Sequence, residues 1–186
     1  MKNKIFFLDR DGTINVDTDY VHTREEWVFC EGAPQAIKRL NELGYKVVVV
    51  TNQSGIIRGK FTLAQVVELH KWVGGELAKI GAKIDAWYIA PWHPNMHDQL
   101  HPDLLNDRKP GTGMFEKAIR CFSVDPTLCH MAGDKISDLQ PAIKLGMKPH
   151  LIRSRFYGSV NQDFLVKYDI PVYDTLNDVI NNEFES

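Results

Sequence analysis

The sequence has few cysteines, no excess of charge of either sign and no long apolar run. Its three cysteines, Cys30, Cys121 and Cys129, form no C-x-x-C pair, which predicts reduced thiols in a cytoplasmic protein rather than a disulfide framework. The formal net charge of −2 lacks the basic excess of a nucleic-acid-binding surface. No stretch reaches the length of a membrane span, and no apolar segment with a basic flank begins the chain. These absences predict no nucleic-acid partner and no membrane partner.

Internal repeats and linkers are also absent, and the 186 residues suit a single domain over 1–186. The sequence does contain short apolar runs that alternate with helical patterns. The runs KIFFL, YKVVVVT, DAWYIA, CHMAGD and PHLIRS predict strands, and their lack of polar alternation suits a parallel sheet covered on both faces. Helices are predicted over 34–44, 62–81, 113–122 and 137–146. This order predicts a doubly wound, mainly parallel α/β sheet with helices on both faces.

The helix predicted over 62–81 has the clearest boundaries. Thr62 suits the N-cap and Gly81 suits the terminator. An apolar stripe at helical spacing should face the core, formed by Val66, Leu69, Val73, Leu77 and Ile80.

Ligands of doubly wound sheets bind beyond the carboxyl ends of the strands, so the residues that follow each strand are the first candidates for a site. Three predicted strands are followed by polar or small residues, namely Asp9 and Asp11, Thr51 and Asn52, and Gly133 and Asp134. If the sheet forms as predicted, residues far apart in the chain meet at one rim.

Two carboxylates separated by one residue can divide a hydrolysis into two steps, one acting as nucleophile and the other as acid and then base. Asp9 and Asp11 have this spacing, and Asp134 would add a third carboxylate that repels them unless a hard cation binds. Oxygen ligands of this kind suit Mg²⁺, which shares its site with phosphate. The sequence therefore predicts a magnesium-binding hydrolytic site rather than three capping aspartates.

Other side chains near the rim could bind phosphate. Thr51 precedes a Gly-containing loop whose hydroxyl and backbone N–H groups can donate hydrogen bonds to it, and Arg58 and Lys60 continue that loop. In DRKPGTGM, the Lys109 ammonium could neutralise a transferring phosphoryl group and the Arg108 guanidinium could bind the substrate. Taken alone, a simple turn and a solvated basic pair would explain both segments.

Taken in order, DRDGT, Thr51, Lys109 and GDKISD resemble the four motifs of the haloacid dehalogenase (HAD) superfamily of phosphatases. The longer segments FLDRDGTINVDTDYVH, VVVTNQSGIIRGKFT, RKPGTGM and GDKISDLQPAI resemble the D-glycero-D-manno-heptose 1,7-bisphosphate 7-phosphatases and, less closely, the histidinol-phosphate phosphatases of the same branch. The resemblance extends from Lys4 to about Arg153. It implies a HAD-like, Rossmann-like fold and a Mg²⁺-dependent phosphatase that forms an aspartyl phosphate.

The resemblance implies catalytic roles residue by residue. Asp9 would be the nucleophile. Asp11 would protonate the leaving sugar oxygen and then deprotonate the hydrolytic water. Thr51 and Lys109 would stabilise the phosphoryl group.

It also implies ligands for the metal and the substrate. Asp9, the main-chain carbonyl of Asp11, and Asp134 would hold Mg²⁺, while Asp138 would orient these ligands without binding the ion. The residues expected to face the substrate are Asp17, Thr18, Asp19, Tyr20, Asn52, Gln53, Ser54, Arg108 and Lys135.

The implied partner is a small sugar phosphate, above all heptose 1,7-bisphosphate cleaved at C7 for lipopolysaccharide or nucleotide-heptose biosynthesis. We expect the protein to be a monomer. Arg108 and Lys135 have no obvious helical partner, which suits a second anionic group. Histidinol phosphate or another small phosphomonoester is an alternative substrate. A polynucleotide 3′-phosphatase is disfavoured by the near-neutral charge, and a catalytically silent binding protein is disfavoured because every motif residue is present.

Spacing leaves no room for a separate cap domain, so loops 17–27 and 91–107 should cover the site. In the family the second loop carries a zinc bound by C-x-H and C-x-C, but the matching positions here are Ala90, Trp92, Leu105 and Asp107. His93, His97 and His101 are spaced for a helical metal site, yet Pro91, Pro94 and Pro102 restrict the segment and no thiolate is near. We therefore expect no zinc, and a loop held by apolar contacts of Trp92, Met96, Leu100, Leu104 and Leu105.

Overall fold

The structure, a computed structural model, describes residues 3–96 and 102–184. Its centre is a six-stranded sheet in which every strand pairing is parallel. The strands are β1 (Ile5–Leu8), β2 (Lys46–Asn52), β3 (Ala86–Ala90), β4 (His130–Gly133), β5 (Lys148–Ile152) and β6 (Val172–Tyr173). They lie in the order β3-β2-β1-β4-β5-β6.

Helices cover both faces of this sheet. They are α1 (Ala33–Glu42), α2 (Leu63–Ala78), α3 (Pro102–Leu105), α4 (Gly113–Phe122), α5 (Ile136–Lys144), α6 (Gln162–Lys167) and α7 (Leu176–Phe184). Residues of α1, α2 and α7 join one buried cluster, and residues of α4 and α5 join a second. The predicted doubly wound α/β fold is confirmed.

The central strand β1 shows how the two clusters are separated. Successive side chains of a strand point to opposite faces, so Phe6 and Leu8 enter one cluster while Ile5 and Phe7 enter the other. All four are fully buried. Burial of a large apolar side chain contributes about 1.5–3 kcal/mol, so this short strand anchors both layers.

The chain order creates a switch point beside β1. The chain passes from β1 outward through β2 and β3, and then returns to the other side of β1 to form β4, β5 and β6. In the parallel register, Leu8 lies beside Val49 and Ala132. The residues that follow these positions therefore gather at one end of the sheet, where such folds bind ligands.

Two details differ from the sequence prediction. Helix α2 has the predicted Thr62 N-cap, whose hydroxyl accepts the Gln65 N–H, but it ends at Ala78. Gly81 has a φ of 77°, and the turn before it leaves Ile80 39% exposed rather than in the apolar stripe. Strand β3 is also only partly buried, because it is the edge strand of the sheet and lacks a neighbour on one side.

The carboxy-terminal part was not predicted. Strand β6 has two residues, which is too short for a recognisable apolar run, and α6 has only six residues. Helix α7 buries Leu176, Val179 and Ile180 against the sheet. No helix among the described residues is long and apolar enough to span a membrane.

Candidate active site

A cleft of about 270 Å³ opens at the carboxyl ends of the central strands. Eleven of the predicted site residues line it: Asp9, Asp11, Asp17, Asp19, Tyr20, Asn52, Gln53, Ser54, Lys109, Lys135 and Asp138. Gly55, Ser137 and Phe156 also line it and were not predicted. Four predicted residues, Thr18, Thr51, Arg108 and Asp134, lie outside this lining.

The floor of the cleft contains a buried lysine between two buried carboxylates. The Lys109 ammonium lies 2.7 Å from Asp9 Oδ1 and 2.7 Å from Asp138 Oδ1. Burial opposes the charge on Lys109, but the two carboxylates more than offset it and raise its pKa. Burial and repulsion from Asp138 raise the pKa of Asp9 to about 7, against the attraction of Lys109. Asp138 Oδ2 also accepts the backbone N–H of Lys135, the N-cap residue of α5.

A third carboxylate, that of Asp134, completes an acidic group with Asp9 and Asp138. One ligand oxygen from each lies within 4.8 Å of the others, and all three residues are buried. Burial and repulsion from Asp138 raise the pKa of Asp134 to about 6. Asp134 Oδ1 pairs with the Lys135 ammonium at 3.2 Å, but the buried Oδ2 has no hydrogen-bond partner.

These observations fit a divalent cation. A buried carboxylate oxygen without a partner is costly, and a bound cation would satisfy it. Hard oxygen ligands with this much negative charge suit Mg²⁺. Asp9 and Asp134 are therefore the residues that could hold it, while the Asp138 carboxylate is already used by Lys109 and by the start of α5.

Gly12 explains why the DRDGT segment can approach Asp134 so closely. Its φ of 84° lies in the left-handed region, and a Cβ at this position would lie 2.4 Å from Asp134 Oδ2. Any side chain here would therefore fill the space in front of the unpartnered oxygen.

The Asp11 carboxylate turns away from this acidic group toward Arg10. Arg10 donates from Nε to Oδ2 at 3.0 Å and from Nη2 to Oδ1 at 2.8 Å, and the side chains of Asn15 and Gln53 donate as well. Burial alone would raise the pKa of Asp11, but Arg10 and these hydrogen bonds lower it below its usual value. The structure therefore holds Asp11 in its ionised form.

Arg10 was missed by the sequence analysis, although its side chain is fully buried. Its Nη2 also donates to the Val21 carbonyl at 2.6 Å, and Nη1 lies 3.4 Å from His70 Nε2. His70 stacks on Trp87 with ring centroids 3.9 Å apart. No sequence signal could have identified Arg10, because the burial of an arginine becomes visible only in the structure.

The last two residues of β2 support their neighbours. The buried Thr51 hydroxyl accepts from Gln53 Nε2 at 2.9 Å, and the same amide reaches Asp11. Asn52 forms a reciprocal pair with the backbone of Lys109, in which each group donates at 3.0 Å. Asn52 therefore fixes the position of Lys109 as well as lining the cleft.

The predicted segment 17–20 forms part of the cleft wall. Asp17 lies near the Lys135 ammonium, at 3.6 Å, while Thr18 is exposed and does not line the cleft. Asp19 and Tyr20 have φ values of 67° and 56°.

Arg108 lies beside the cleft rather than in its lining. Its Nη1 donates to the Trp92 carbonyl at 2.9 Å, and no carboxylate among the described residues pairs with it. Burial and the charge of Arg58 lower the pKa of Arg108, so two guanidinium groups lie near each other here.

The loop before Lys109 is held by polar contacts, and the expectation of apolar contacts is wrong for the residues described. Leu105 is 37% exposed, and neither Trp92 nor Leu104 joins a buried cluster. Instead Asp107 pairs with Lys117 at 2.5 Å, and Asn106 accepts from Thr112 N and Gly113 N.

The zinc prediction is only partly covered by the described residues. His97, Leu100 and His101 lie outside them, as does the side chain of Met96. His93 Nδ1 accepts the backbone N–H of Asn95 at 3.3 Å. The absence of zinc therefore stays a prediction.

A second cluster with ligand-type side chains lies at the opposite end of β4. His130, His150 and Glu183 offer ligand atoms within 4.8 Å of one another. However, His130 Nδ1 and His150 Nε2 face each other at 2.9 Å and share one hydrogen, so neither of these two nitrogens is free for a metal, and only the buried His150 Nδ1 is left without a hydrogen-bond partner in this group. This arrangement favours a hydrogen-bonded pair rather than a metal site.

Comparisons with known proteins agree with this geometry. Residues 4–139 match the family model described as Polynucleotide kinase 3 phosphatase, and residues 106–179 match the model described as HAD-hydrolase-like.

Two curated relatives carry the same protein name, D-glycero-beta-D-manno-heptose-1,7-bisphosphate 7-phosphatase. The one from Haemophilus ducreyi is 40% identical over 153 residues, which cover 82% of this chain and 84% of the relative. The one from Photorhabdus laumondii is 42% identical over 144 residues, which cover 76% and 77%.

A similar solved structure is D,D-heptose 1,7-bisphosphate phosphatase from B. bronchiseptica, complexed with magnesium and phosphate. It superposes with a TM-score of 0.84 at 31% identity and covers 98% of both chains.

Proposed function

The chain belongs to the D-glycero-beta-D-manno-heptose-1,7-bisphosphate 7-phosphatase family of HAD-like phosphatases, and on this premise we propose that it removes the 7-phosphate from heptose 1,7-bisphosphate. The observation that carries the proposal is the buried group of Asp9, Lys109 and Asp134 at the switch point of the sheet. It combines a carboxylate, a fixed ammonium and an unpartnered oxygen in one cleft.

In the first step, a carboxylate oxygen of Asp9 attacks phosphorus and the bond from phosphorus to the sugar oxygen breaks. The leaving oxygen takes a proton, and Asp9 becomes an aspartyl phosphate. The Lys109 ammonium, held by Asp9 and Asp138, stabilises the charge on the phosphoryl group. Bound magnesium would neutralise phosphate charge and reduce the repulsion among the carboxylates.

In the second step, water attacks phosphorus and releases inorganic phosphate and free Asp9. We assign the proton transfers of both steps to Asp11. Its ionised state in the structure suits the base of the second step directly. As the acid of the first step it must carry a proton, which requires the loss of at least one hydrogen bond from Arg10, Asn15 or Gln53.

A second anionic group on the substrate has suitable partners nearby. Arg108 lies beside the cleft without a carboxylate partner among the described residues, and Arg58 is its neighbour. Lys135 lines the cleft itself. These cations support a sugar bisphosphate over a monophosphate.

A polynucleotide 3′-phosphate is the second candidate, because the matched family model carries that description. The cleft argues for the smaller substrate. It holds about 270 Å³, and its two lining cations, Lys109 and Lys135, both pair with carboxylates. A backbone-tracking groove would instead need a row of unpaired cations.

A phosphate-release assay with Mg²⁺ tests the proposal. The substrates are both anomers of heptose 1,7-bisphosphate, histidinol phosphate and a 3′-phosphorylated oligonucleotide. The highest kcat/KM should belong to a heptose bisphosphate. A higher value for either other substrate would replace the proposed one, and the absence of release from all of them would indicate a binding protein.

The same proposal includes a monomeric enzyme in the cytoplasm. The three cysteines are free thiols, and burial raises the pKa of Cys30 to about 11 and also raises the pKa of Cys129. Three thiols without a disulfide support a reducing compartment. Sedimentation of the purified protein tests the monomer.

A further inference from the structure

The far wall of the cleft is formed by two chain segments joined by one arginine. These are 17–20, which follows the DRDGT motif, and 153–157, which follows β5. Arg155 Nη2 donates to Asp17 Oδ1 at 3.2 Å and also to the carboxylate of Asp19. Asp17 Oδ1 accepts the backbone N–H of Asp19 at 2.9 Å, so these contacts converge where the chain turns.

This turn needs contacts to hold it. Asp19 and Tyr20 both adopt left-handed backbone conformations, which side chains with a Cβ disfavour. Tyr20 is supported by Phe61, at a ring-centroid distance of 6.4 Å, and by the Lys60 ammonium 4.5 Å from its ring centroid. Asp19 is 65% exposed at its side chain, and Arg155 is the residue that anchors it.

Phe156 presents its ring to the cleft next to this anchor. The Arg155 guanidinium and the Lys135 ammonium each lie 4.5 Å from the ring centroid. Lys135 also lies 3.6 Å from Asp17 Oδ2. Both cations therefore contact the same ring, and Lys135 lies between Asp134 at the phosphoryl end of the cleft and Asp17 in the far wall.

The far wall is polar but balanced in charge, because Asp17 and Asp19 offset Lys135 and Arg155. A neutral wall of carboxylates and one aromatic ring suits sugar hydroxyl groups and C–H groups rather than phosphate. Arg155 does not line the cleft, and its donors already serve two carboxylates. It can act on the substrate only through the loop that it holds.

We propose that Arg155 positions the 17–20 loop and that Phe156 contacts the substrate, so that together they select the sugar portion that leaves. The inference rests on the proposed phosphatase function and names the substrate-selecting side of the same site. It separates residues that act on the phosphoryl group, such as Lys109, from residues that act on its leaving group.

Two substrates distinguish these roles. Heptose 1,7-bisphosphate reaches the far wall, whereas acetyl phosphate has a leaving group too small to do so. Arg155→Ala and Phe156→Ala should each lower kcat/KM for the sugar bisphosphate about tenfold or more, mainly through KM, and should change kcat/KM for acetyl phosphate by less than about threefold. Equal losses on both substrates, or no loss on the sugar, would overturn the proposal.

Arg153→Ala is the matched control. Arg153 is a neighbouring exposed arginine that pairs with Asp174 at 2.5 Å, outside the cleft lining. It should retain the parent kinetics on both substrates, and unfolding curves of all variants exclude a loss of fold.

A double-mutant cycle tests the positioning role. If Arg155 acts through Asp19, Asp19→Asn combined with Arg155→Ala should be no worse on the sugar than Arg155→Ala alone. Additive losses would assign the two residues independent roles and reject the anchor. Should acetyl phosphate be cleaved but heptose bisphosphate not, the proposed substrate fails, and the wall is then tested with the best-cleaved sugar phosphate.

Discussion

The two ends of β4 each carry a cluster of three side chains of metal-ligand type, and the two clusters differ in charge. Asp134 follows the carboxyl end of the strand and joins Asp9 and Asp138. His130 begins the strand and joins His150 and Glu183. Both groups bring three ligand-type side chains within 4.8 Å, so proximity alone does not distinguish a reaction site from a structural one.

The difference lies in how each cluster responds to burial. Burial lowers the pKa of His130 to about 4 and that of His150 to about 3, so both rings are neutral and can share a hydrogen. Tyr45 Oη lies 3.3 Å from His130 Nε2 and extends the network. Histidines can become neutral without losing these hydrogen bonds, so this cluster carries no charge on its rings, although the buried His150 Nδ1 has no hydrogen-bond partner.

The carboxylates at the other end respond in the opposite direction, because burial and mutual repulsion raise the pKa values of Asp9 and Asp134. Asp9, Asp134 and Asp138 face the two ammonium groups of Lys109 and Lys135, which leaves a formal excess of one negative charge when all are ionised. One buried oxygen of Asp134 is left without a partner. The comparison teaches that an excess of buried negative charge marks the end of β4 where the reaction occurs, which we call the reacting end. The neutral histidine network at the other end, the structural end, contributes to the fold.

The sharpest test of this comparison is Asp9→Asn. Because the amide cannot attack phosphorus, turnover should fall to the background rate in a phosphate-release assay. The unfolding midpoint should be at or above that of the parent, because one of three repelling carboxylates is removed. Asp163→Asn, on the exposed side of α6, should retain both activity and stability. Substantial turnover by Asp9→Asn, free of parent enzyme, would show that another group is the nucleophile.

The next largest effect is expected for Asp11→Asn. Loss of a general acid–base group slows turnover by roughly 10²–10⁴-fold. Because the side chain of Asp11 faces Arg10 rather than the acidic group, Mg²⁺ affinity should stay close to that of the parent. Calorimetric titration with Mg²⁺ measures the affinity. An unchanged turnover rate would remove Asp11 from the proton transfers.

Sequence predicted the reacting end far better than the structural end. Asp9, Thr51 and Asp134 follow recognisable apolar runs, so the topology rule for parallel sheets was enough to gather them. His130 and His150 also lie in predicted strands, but nothing in their spacing indicates that neighbouring strands bring the two rings face to face. Such a pairing depends on register, which five apolar runs do not specify.

The same limit explains the residues missed inside the site. Arg10 precedes Asp11 and reads as a solvated charge, yet the 17–27 loop folds over it and leaves it fully buried. Phe156 and Arg155 follow the last predicted strand, where no motif marks them. Side chains that act through tertiary contacts, rather than through a local pattern, were those the sequence could not assign.

A pH titration of stability sharpens the comparison, because the two ends should contribute with opposite sign. An unfolded histidine has a pKa near 6.5, above the folded values of about 4 for His130 and about 3 for His150. As pH falls below about 6.5, these histidines bind protons in the unfolded state but not in the folded state. Stability is then lost at up to about 1.4 kcal/mol per pH unit for each ring, until the folded pKa is reached.

The carboxylates act in the other direction. Without Mg²⁺, the folded pKa values of about 7 for Asp9 and about 6 for Asp134 exceed the unfolded value of 3.8, so the folded state binds more protons and gains stability as pH falls from about 7 toward 4. Urea unfolding between pH 4 and 7 in EDTA should therefore show a steeper acid loss for Asp9→Asn than for the parent. His150→Phe should show a gentler loss. Parallel slopes for all three proteins would contradict the assignment of charge to the two ends.

The smallest effect is expected from a zinc-selective chelator. This treatment tests whether the loop before Lys109 holds a metal in addition to the two clusters at the ends of β4. At the positions that match the family's zinc ligands, this chain has Ala90, Trp92, Leu105 and Asp107. Three of these side chains cannot bind a metal. Asp107 is already paired with Lys117, and polar contacts of Asn106 hold the loop that presents Lys109. Protein purified without a histidine tag should therefore contain far less than one zinc per chain by elemental analysis, and a zinc-selective chelator should leave its Mg²⁺-dependent activity unchanged. Stoichiometric zinc that is lost together with activity would show instead that His93, His97 and His101 form a site and that the loop needs a metal to place Lys109.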